Sequence, residues 1–389
     1  MSQFTKKIMR VILIYIYYSL KVLGLSSVTI NFSTLEVTVS YSSIAYCVFS
    51  NLLIIGIIPF ISLSSDKVEY INQRILAMVI LFINSYATLL TIIATVFLNL
   101  IYRHQVASLL STYIKLVNHV TILTTQDFYD MHFLRLVVFK IWCPYSNLLC
   151  SVCVMFMLKM QKMSNFVPSV IFSGILLQMV VSAINLFYIA LLYLWRMNKL
   201  LDEQLSKTLI VLHCNKEPSM QRCCDISDAI DNIAILKSNL YNLCVEVQGV
   251  FRFQKLISMV NYFLEVISKW FLFYSLMITV DQKNAFLVSV IFYGLFFLLF
   301  EVFLLIYASD LVIRIPTAEQ DNLNRKYLQI QAADERLERS IEMLSLQMLL
   351  KRTTITLSGT CTLDREFAFK LFGGTIINLI ILIQFDKVL

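Results

Sequence analysis

The stretch from Ile75 to Tyr102 reads ILAMVILFINSYATLLTIIATVFLNLIY and carries no charged residue between Arg74 and Arg103. A helix that crosses a bilayer needs about 20 predominantly apolar residues, so this run is long enough to span. Val37 to Ser65 and Met163 to Trp195 are also free of charge over such a length, and Ile141 to Leu158 and Asn284 to Phe300 are shorter runs that extend past one charge. Two further candidates carry or abut charges: Tyr262 to Val280 with Glu265 and Lys269, and Leu371 to Phe385 between Lys370 and Asp386. Seven transmembrane helices are therefore expected. Strands are not an option, because a barrel reads as short alternating segments.

The whole composition agrees. Apolar residues make up 58% and charged residues 15%, against about 45–50% and about 25% in soluble domains. The chain has 8 Gly and 5 Pro, few for a transporter whose helices break in mid-membrane. Pro144 in the third span and Pro168 near the start of the fourth are the candidate kinks.

Orientation follows from Lys and Arg, which gather on the cytosolic side. With the N-terminus inside, the inner segments hold Lys6, Lys7, Arg10 and Lys21, then Arg103, Lys115 and Arg135, then basic clusters over 196–255 and 314–365. The outer segments hold only Lys67, Arg74, Lys159, Lys162, Lys283 and Lys387. A cytosolic N-terminus and an extracellular C-terminus are thus expected, the reverse of a G-protein-coupled receptor.

The net charge of +7 reads as this topology signal, and no nucleic-acid partner is expected. Lys6, Lys7 and Arg10 ahead of Val11 to Leu20 resemble a signal peptide, but tyrosines and Lys21 interrupt the apolar region. A short helix lying in or re-entering the inner leaflet is the preferred reading. On this topology the sequon Asn31-Phe32-Ser33 is cytosolic and would escape glycosylation.

Of the 9 cysteines, none falls in an outer loop, and no disulfide is expected. Cys150 and Cys153 have CxxC spacing inside an apolar span, a poor context for redox or metal chemistry. His104, His119, His132 and His213 lack metal-ligand spacing. The loops contain no Walker loop, GxSxG, HExxH or glycine-rich fingerprint, so neither a cofactor nor enzymatic activity is expected.

The cytosolic segments carry helical stripes. Ile226, Ile230, Ile233, Leu236, Leu240, Leu243 and Val247 recur at helical spacing, as do Leu337, Ile341, Leu344 and Met348. Each stripe needs a partner, within the subunit, between subunits, or both.

The chain's end, from Gly359-Thr-Cys-Thr-Leu-Asp364 through Gly373-Gly374 to Gln384-Phe385, resembles the C-terminal signature of insect gustatory receptors. That signature is Thr-Tyr, five apolar residues and Gln-Phe. Leu379 to Ile383 supply the five, while Ile377 and Asn378 stand where Thr and Tyr are expected.

The resemblance implies an all-α, seven-helix ligand-gated cation channel that detects tastants or other small chemicals and mediates acceptance or avoidance. It further implies a homo- or heterotetramer with other gustatory receptor subunits, with seventh helices around a cation pore. The expected location is the plasma membrane of gustatory sensory neurons, in dendrites, axons and cell bodies. The alternatives are a metabotropic chemoreceptor or non-conducting subunit, and a transporter.

On that scheme residues 1–35 form an N-terminal segment with a membrane-associated helix and 36–310 a six-helix ligand-binding region that includes the cytosolic loop 196–255. Residues 311–366 form an assembly segment, and 367–389 the pore helix and tail. Gly374, Ile377, Ile381 and Gln384 share one helical face and are the candidate pore and gate, Ile rings closing by dewetting. Asn84, Tyr86, Gln178, Trp270, Tyr274, Phe292 and Tyr293 fall in or near the outer halves of their spans and are the candidate ligand pocket. Glu265 and Lys269, four apart in a span, are charge candidates because intramembrane ions are costly. Lipid, a small-molecule tastant and permeating cations complete the expected partners.

Overall fold

The computed structural model describes residues 2–31, 36–64, 75–124, 126–157, 163–214, 220–279, 285–327, 335–351 and 353–388. Helices dominate them. In chain order they are α1 (Ser2–Val22), α2 (Tyr41–Ser64), α3 (Ile75–Ile101), α4 (Arg103–Thr124), α5 (Met131–Met157), α6 (Met163–Cys214), α7 (Met220–Val250), α8 (Arg252–Thr279), α9 (Ala285–Tyr327), α10 (Glu335–Leu350) and α11 (Arg365–Val388). Two small antiparallel hairpins, β1 (Val28–Asn31) with β2 (Glu36–Val39) and β3 (Thr356–Leu357) with β4 (Cys361–Thr362), join them.

Every expected span is a helix: α2, α3, α5, α6, α8, α9 and α11. Seven helices among the described residues are long and apolar enough to cross a membrane, and they include α4. The first expected span, α2, is 24 residues long, though its described apolar part, Tyr41–Ile54, ranks as a shorter helix.

The sequence reading did not foresee α4. Only Tyr102 separates it from α3. It carries Arg103, His104, Lys115 and His119 and packs on α7 and α6 and beside the β1–β2 hairpin. Because α7 bears Asp225, Asp228, Asp231 and Glu246, a helix seated on it belongs to the layer outside the hydrocarbon.

That layer exists because two spans do not stop at the membrane surface. At 1.5 Å per residue, α6 with 52 residues is roughly 78 Å long and α9 with 43 roughly 64 Å, against a hydrocarbon core of about 30 Å. Arg196 does not end the fourth span as expected; the helix continues to Cys214. Arg196 is buried and satisfied there, its Nε donating to Phe128 O at 2.7 Å, its Nη2 to Asp127 O at 2.9 Å, and its Nη1 lying 3.0 Å from Asp130 Oδ2.

The helical stripes find their partners inside one chain. On α7, Ile230, Ile233, Leu240, Leu243 and Val247 are buried, and on α10 Leu337, Ile341, Leu344 and Met348. The two helices pack together. Ser227 and Ser340 hydroxyls meet at 2.8 Å, Gln347 donates to Ala234 O at 2.9 Å, and Lys351 to Ser238 Oγ at 2.6 Å.

At the N-terminus, α1 buries Met9 in the main core and Leu20 in a second cluster with Ile92 and Met179. Asn31 closes β1 opposite Glu36; Phe32 and Ser33 of its sequon lie outside the described residues.

Candidate functional site

The last helix begins at a built cap. The β3–β4 turn needs positive φ at Ser358 (55°) and Gly359 (82°), a left-handed geometry that glycine adopts without strain. The hairpin is fixed from α7 and α8: Gln248 donates to Thr354 O at 2.8 Å and Lys255 to Thr356 O at 2.9 Å. Asp364 then caps α11, accepting from Phe367 N–H at 2.9 Å and from the Thr362 hydroxyl at 2.7 Å. Those two donors, the hydroxyl foremost, hold its carboxyl below the usual carboxylate range. Arg365 lies 3.1 Å from Asp310 on α9, so the first turn is tied to a second helix.

Beyond that turn α11 is lightly held. Among its described residues only Thr375 is buried by the chain. Leu379 and Leu382 pack with Ile80, Phe271 and Tyr274. Ile377, 61% exposed, Ile381, 43% exposed, and Gln384 lie on the side turned away. Gly374 sits at the edge of the packed side, where a Cβ would lie 3.8 Å from Phe263. Asn378, in the position where the family signature has Tyr, donates to Gly374 O at 2.8 Å. Lipid covers exposed Ile without penalty, but exposed amides in an apolar layer are costly.

On its other side α8 is held by two polar networks. Glu265 and Lys269 pair at 3.0 Å, and Asn147 of α5 joins them, its Oδ1 accepting from Lys269 Nζ at 2.5 Å and its Nδ2 donating to Glu265 Oε1 at 3.4 Å. Two turns nearer the other layer, Lys140 of α5 and Glu301 of α9 pair at 2.7 Å with side-chain exposures of 1% and 2%. The Tyr262 hydroxyl donates to the same Glu301 oxygen at 2.6 Å, and the Lys140 ammonium lies 5.8 Å from the Tyr188 ring centre.

Lys140, Asn147, Tyr262 and Glu301 were not among the candidates drawn from the sequence. A usable signal was present: a lysine just before one apolar run and a glutamate just after another.

The ligand candidates do not converge. Trp270 and Phe273 meet edge to face at 5.9 Å, and Phe273 lies 6.4 Å from Phe292. Tyr274 belongs to the α11 contact. Tyr86, beside Phe82 at 4.4 Å, Phe292 and Tyr293 are exposed. Asn84 Oδ1 is buried with no hydrogen-bond partner among the described residues.

Gln178 accepts from the Tyr145 hydroxyl at 2.9 Å and lines a cavity of about 20 Å³ with Tyr15, Ser182 and Asn185. A cavity of about 190 Å³ lies elsewhere, between α7 and residues 353–356, beside Cys244, whose thiol burial pushes up to about 11. Neither cavity reaches the roughly 300–1,000 Å³ of drug-sized ligand sites.

A set of apolar spans, two of which run on into a helical layer outside the bilayer, defines a multi-pass membrane protein. The chain belongs to the 7tm chemosensory receptor family, whose sequence model matches residues 13–389. That is a receptor family, not an enzyme family.

Among curated relatives, gustatory receptor 36a of Drosophila melanogaster is 26% identical over 218 residues, covering 52% of this chain and 54% of that protein. Gustatory receptor 36b of the same species is 25% identical over 190 residues, covering 46% and 47%. The match thus spans about half the length of these relatives. Among solved structures, the olfactory receptor OR5 of Machilis hrabei in complex with eugenol superposes with a TM-score of 0.66 at 12% identity, over 98% of this chain and 99% of that one. Its uncomplexed structure gives 0.63.

Proposed function

We propose that this chain is a gustatory receptor subunit that works as a ligand-gated cation channel, with its N-terminus in the cytosol and its C-terminus outside. The observation that carries the reading is the exposed face of α11. The last span turns Ile377, Ile381 and Gln384 away from its own chain, and a helix with an amide on its outward face is suited to other copies around water rather than to lipid alone.

Four such helices place Gln384 at the outer mouth and Ile381 one turn inward, where an isoleucine ring excludes water and blocks ions without a charged barrier. The tetramer is of this chain or of this chain with related subunits. The ligand is a small organic tastant, taken up in the outer half of the subunit, on the side where Trp270 meets Phe273 and Phe273 lies 6.4 Å from Phe292. The site of action is the plasma membrane of gustatory neurons, in dendrites, axons and cell bodies.

Recording currents from a cell line without endogenous receptors, across a tastant panel, tests the reading. Ligand-evoked cation current supports it. Surface-expressed protein that binds a tastant and conducts nothing, alone or with related subunits, sinks the channel assignment.

A further inference from the structure

The N-terminal helix α1 has three sectors. Phe4, Val11, Tyr15, Tyr18 and Val22, spaced by seven, four, three and four residues, run along one line of the helix, and all are exposed. Roughly opposite, Thr5, Met9 and Leu20 are buried against the chain. Between the two, at 100° per residue, Lys6, Lys7, Arg10 and Lys21 share an arc of about 100°.

The basic arc is only partly used by the protein. Lys6 pairs with Asp127 at 2.6 Å, and the neighbouring Asp130 is taken by Arg196. Lys21 donates to the Tyr17 hydroxyl and to Thr29 Oγ1, both at 3.2 Å. Lys7 and Arg10 are exposed and have no acidic partner among the described residues, which leaves two cations beside an aromatic stripe.

We propose that this edge of α1 binds the headgroups of anionic phospholipids in the cytosolic leaflet. The stripe sits among the upper acyl chains, where tyrosines favour the interface, and Lys7 and Arg10 reach the phosphates beside it. A basic flank beside an apolar face responds to lipid charge, and Lys7 and Arg10 stand near the start of the helix while Leu20, toward its end, packs on Ile92 and Met179 of the spans.

The contact also reaches the spans. The Tyr15 hydroxyl meets the Tyr145 hydroxyl of α5, and Tyr145 donates to Gln178 of α6 at 2.9 Å. The depth at which α1 sits is therefore linked by hydrogen bonds to two membrane helices. The inference rests on the cytosolic N-terminus of the proposed function. Its test uses neither ligand nor current, so its failure leaves the channel reading standing.

The test reconstitutes the full chain in nanodiscs of phosphatidylcholine alone or with one quarter phosphatidylserine, and measures retained lipids by mass spectrometry at low and high salt. Wild type is expected to enrich phosphatidylserine, less so at high salt. The pair Lys7→Gln, Arg10→Gln is expected to lose roughly fivefold of that enrichment per residue, with an unchanged melting temperature in phosphatidylcholine. Arg336→Gln with Arg339→Gln, exposed on α10, removes equal charge and is expected to change nothing.

Equal retention of both lipids by wild type, or full enrichment in the α1 variant, overturns the proposal. So does a copurifying acidic protein that is lost with Lys7 and Arg10 while no lipid preference exists.

Discussion

Replacing Lys140 by Met strands the Glu301 carboxylate in a site where its side chain is 2% exposed. One partner remains, the Tyr262 hydroxyl at 2.6 Å. Removing one member of a buried pair costs about 3–5 kcal/mol, because the other keeps its desolvation penalty without its counter-charge. At a few degrees per kcal/mol for a chain of more than 150 residues, the melting temperature is expected to fall by on the order of 10 °C.

Glu301→Gln is expected to be as harmful, since it leaves the ammonium unpaired against a neutral amide. The triple change Lys140→Met, Glu301→Met, Tyr262→Phe removes all three polar groups together and is expected to return close to wild type, because apolar replacement of a whole buried pair is often neutral or better. Fluorescence-detected size-exclusion melting of detergent-solubilised protein compares the three variants with wild type. A loss under about 2 °C for Lys140→Met, or a triple variant as unstable as the sum of the singles, refutes the argument that the pair is closed and dry.

On topology, a C-terminal epitope is expected to stain on intact cells and one within Glu217 to Asp231 only after permeabilisation; staining of both on intact cells reverses the orientation. At the gate, Ile381→Ser is expected to leak without ligand by wetting the ring, while Leu382→Ser, on the side packed against Phe271 and Tyr274, leaves basal current low. Whole-cell current at matched surface expression decides, and a silent Ile381→Ser beside a leaking Leu382→Ser puts the pore on another face. In the same helix a Cβ at position 373 would meet nothing within 4 Å, so Gly373→Ala stiffens without a clash, by about 0.5–1 kcal/mol. It is expected to lower maximal ligand-evoked current at unchanged expression, and an unaltered response removes the glycine from the gating argument.

Charge-free runs made the spans legible, and a period of 3.6 made α7 and α10 legible, because both signals are local. The ends of α6 and α9 were not. Arg196 and Glu301 look like boundaries in a linear reading, yet each lies inside a continuous helix because its charge is met by residues far off in sequence, Asp130 and Lys140.

The helix α4 was hidden for a related reason, since Arg103 closes an apolar run and starts the next helix. Strands of two to four residues leave no periodicity to read. Of the four residues that spacing puts on one face of α11, Ile377, Ile381 and Gln384 are exposed, while Gly374 lies beside Phe263. The ligand candidates could not be placed by spacing, since Asn84, Gln178 and Phe292 sit on α3, α6 and α9, and sequence spacing says nothing of which faces of distant helices meet.

The two sides of α8 differ in how they resist displacement, and this bears on which helix moves if α11 lines a pore. Toward α5 and α9 it is held by Lys269 and Glu265 on Asn147 at 2.5 and 3.4 Å and by the Tyr262 hydroxyl on Glu301 at 2.6 Å, polar bonds that weaken steeply once geometry is lost. Toward α11 it offers Phe263, Phe271 and Tyr274, and contact between rings and leucines survives a shift of an ångström with little loss. The first turn of α11 is fixed again, by the Asp364 cap and by Arg365 against Asp310. Between that fixed turn and the exposed Ile377–Gln384 face stand Gly373 and Gly374, each weakening a helix by about 0.5–1 kcal/mol relative to Ala. A force on the C-terminal part of α11 therefore bends the helix at the glycine pair before it breaks α8 away from α5 and α9.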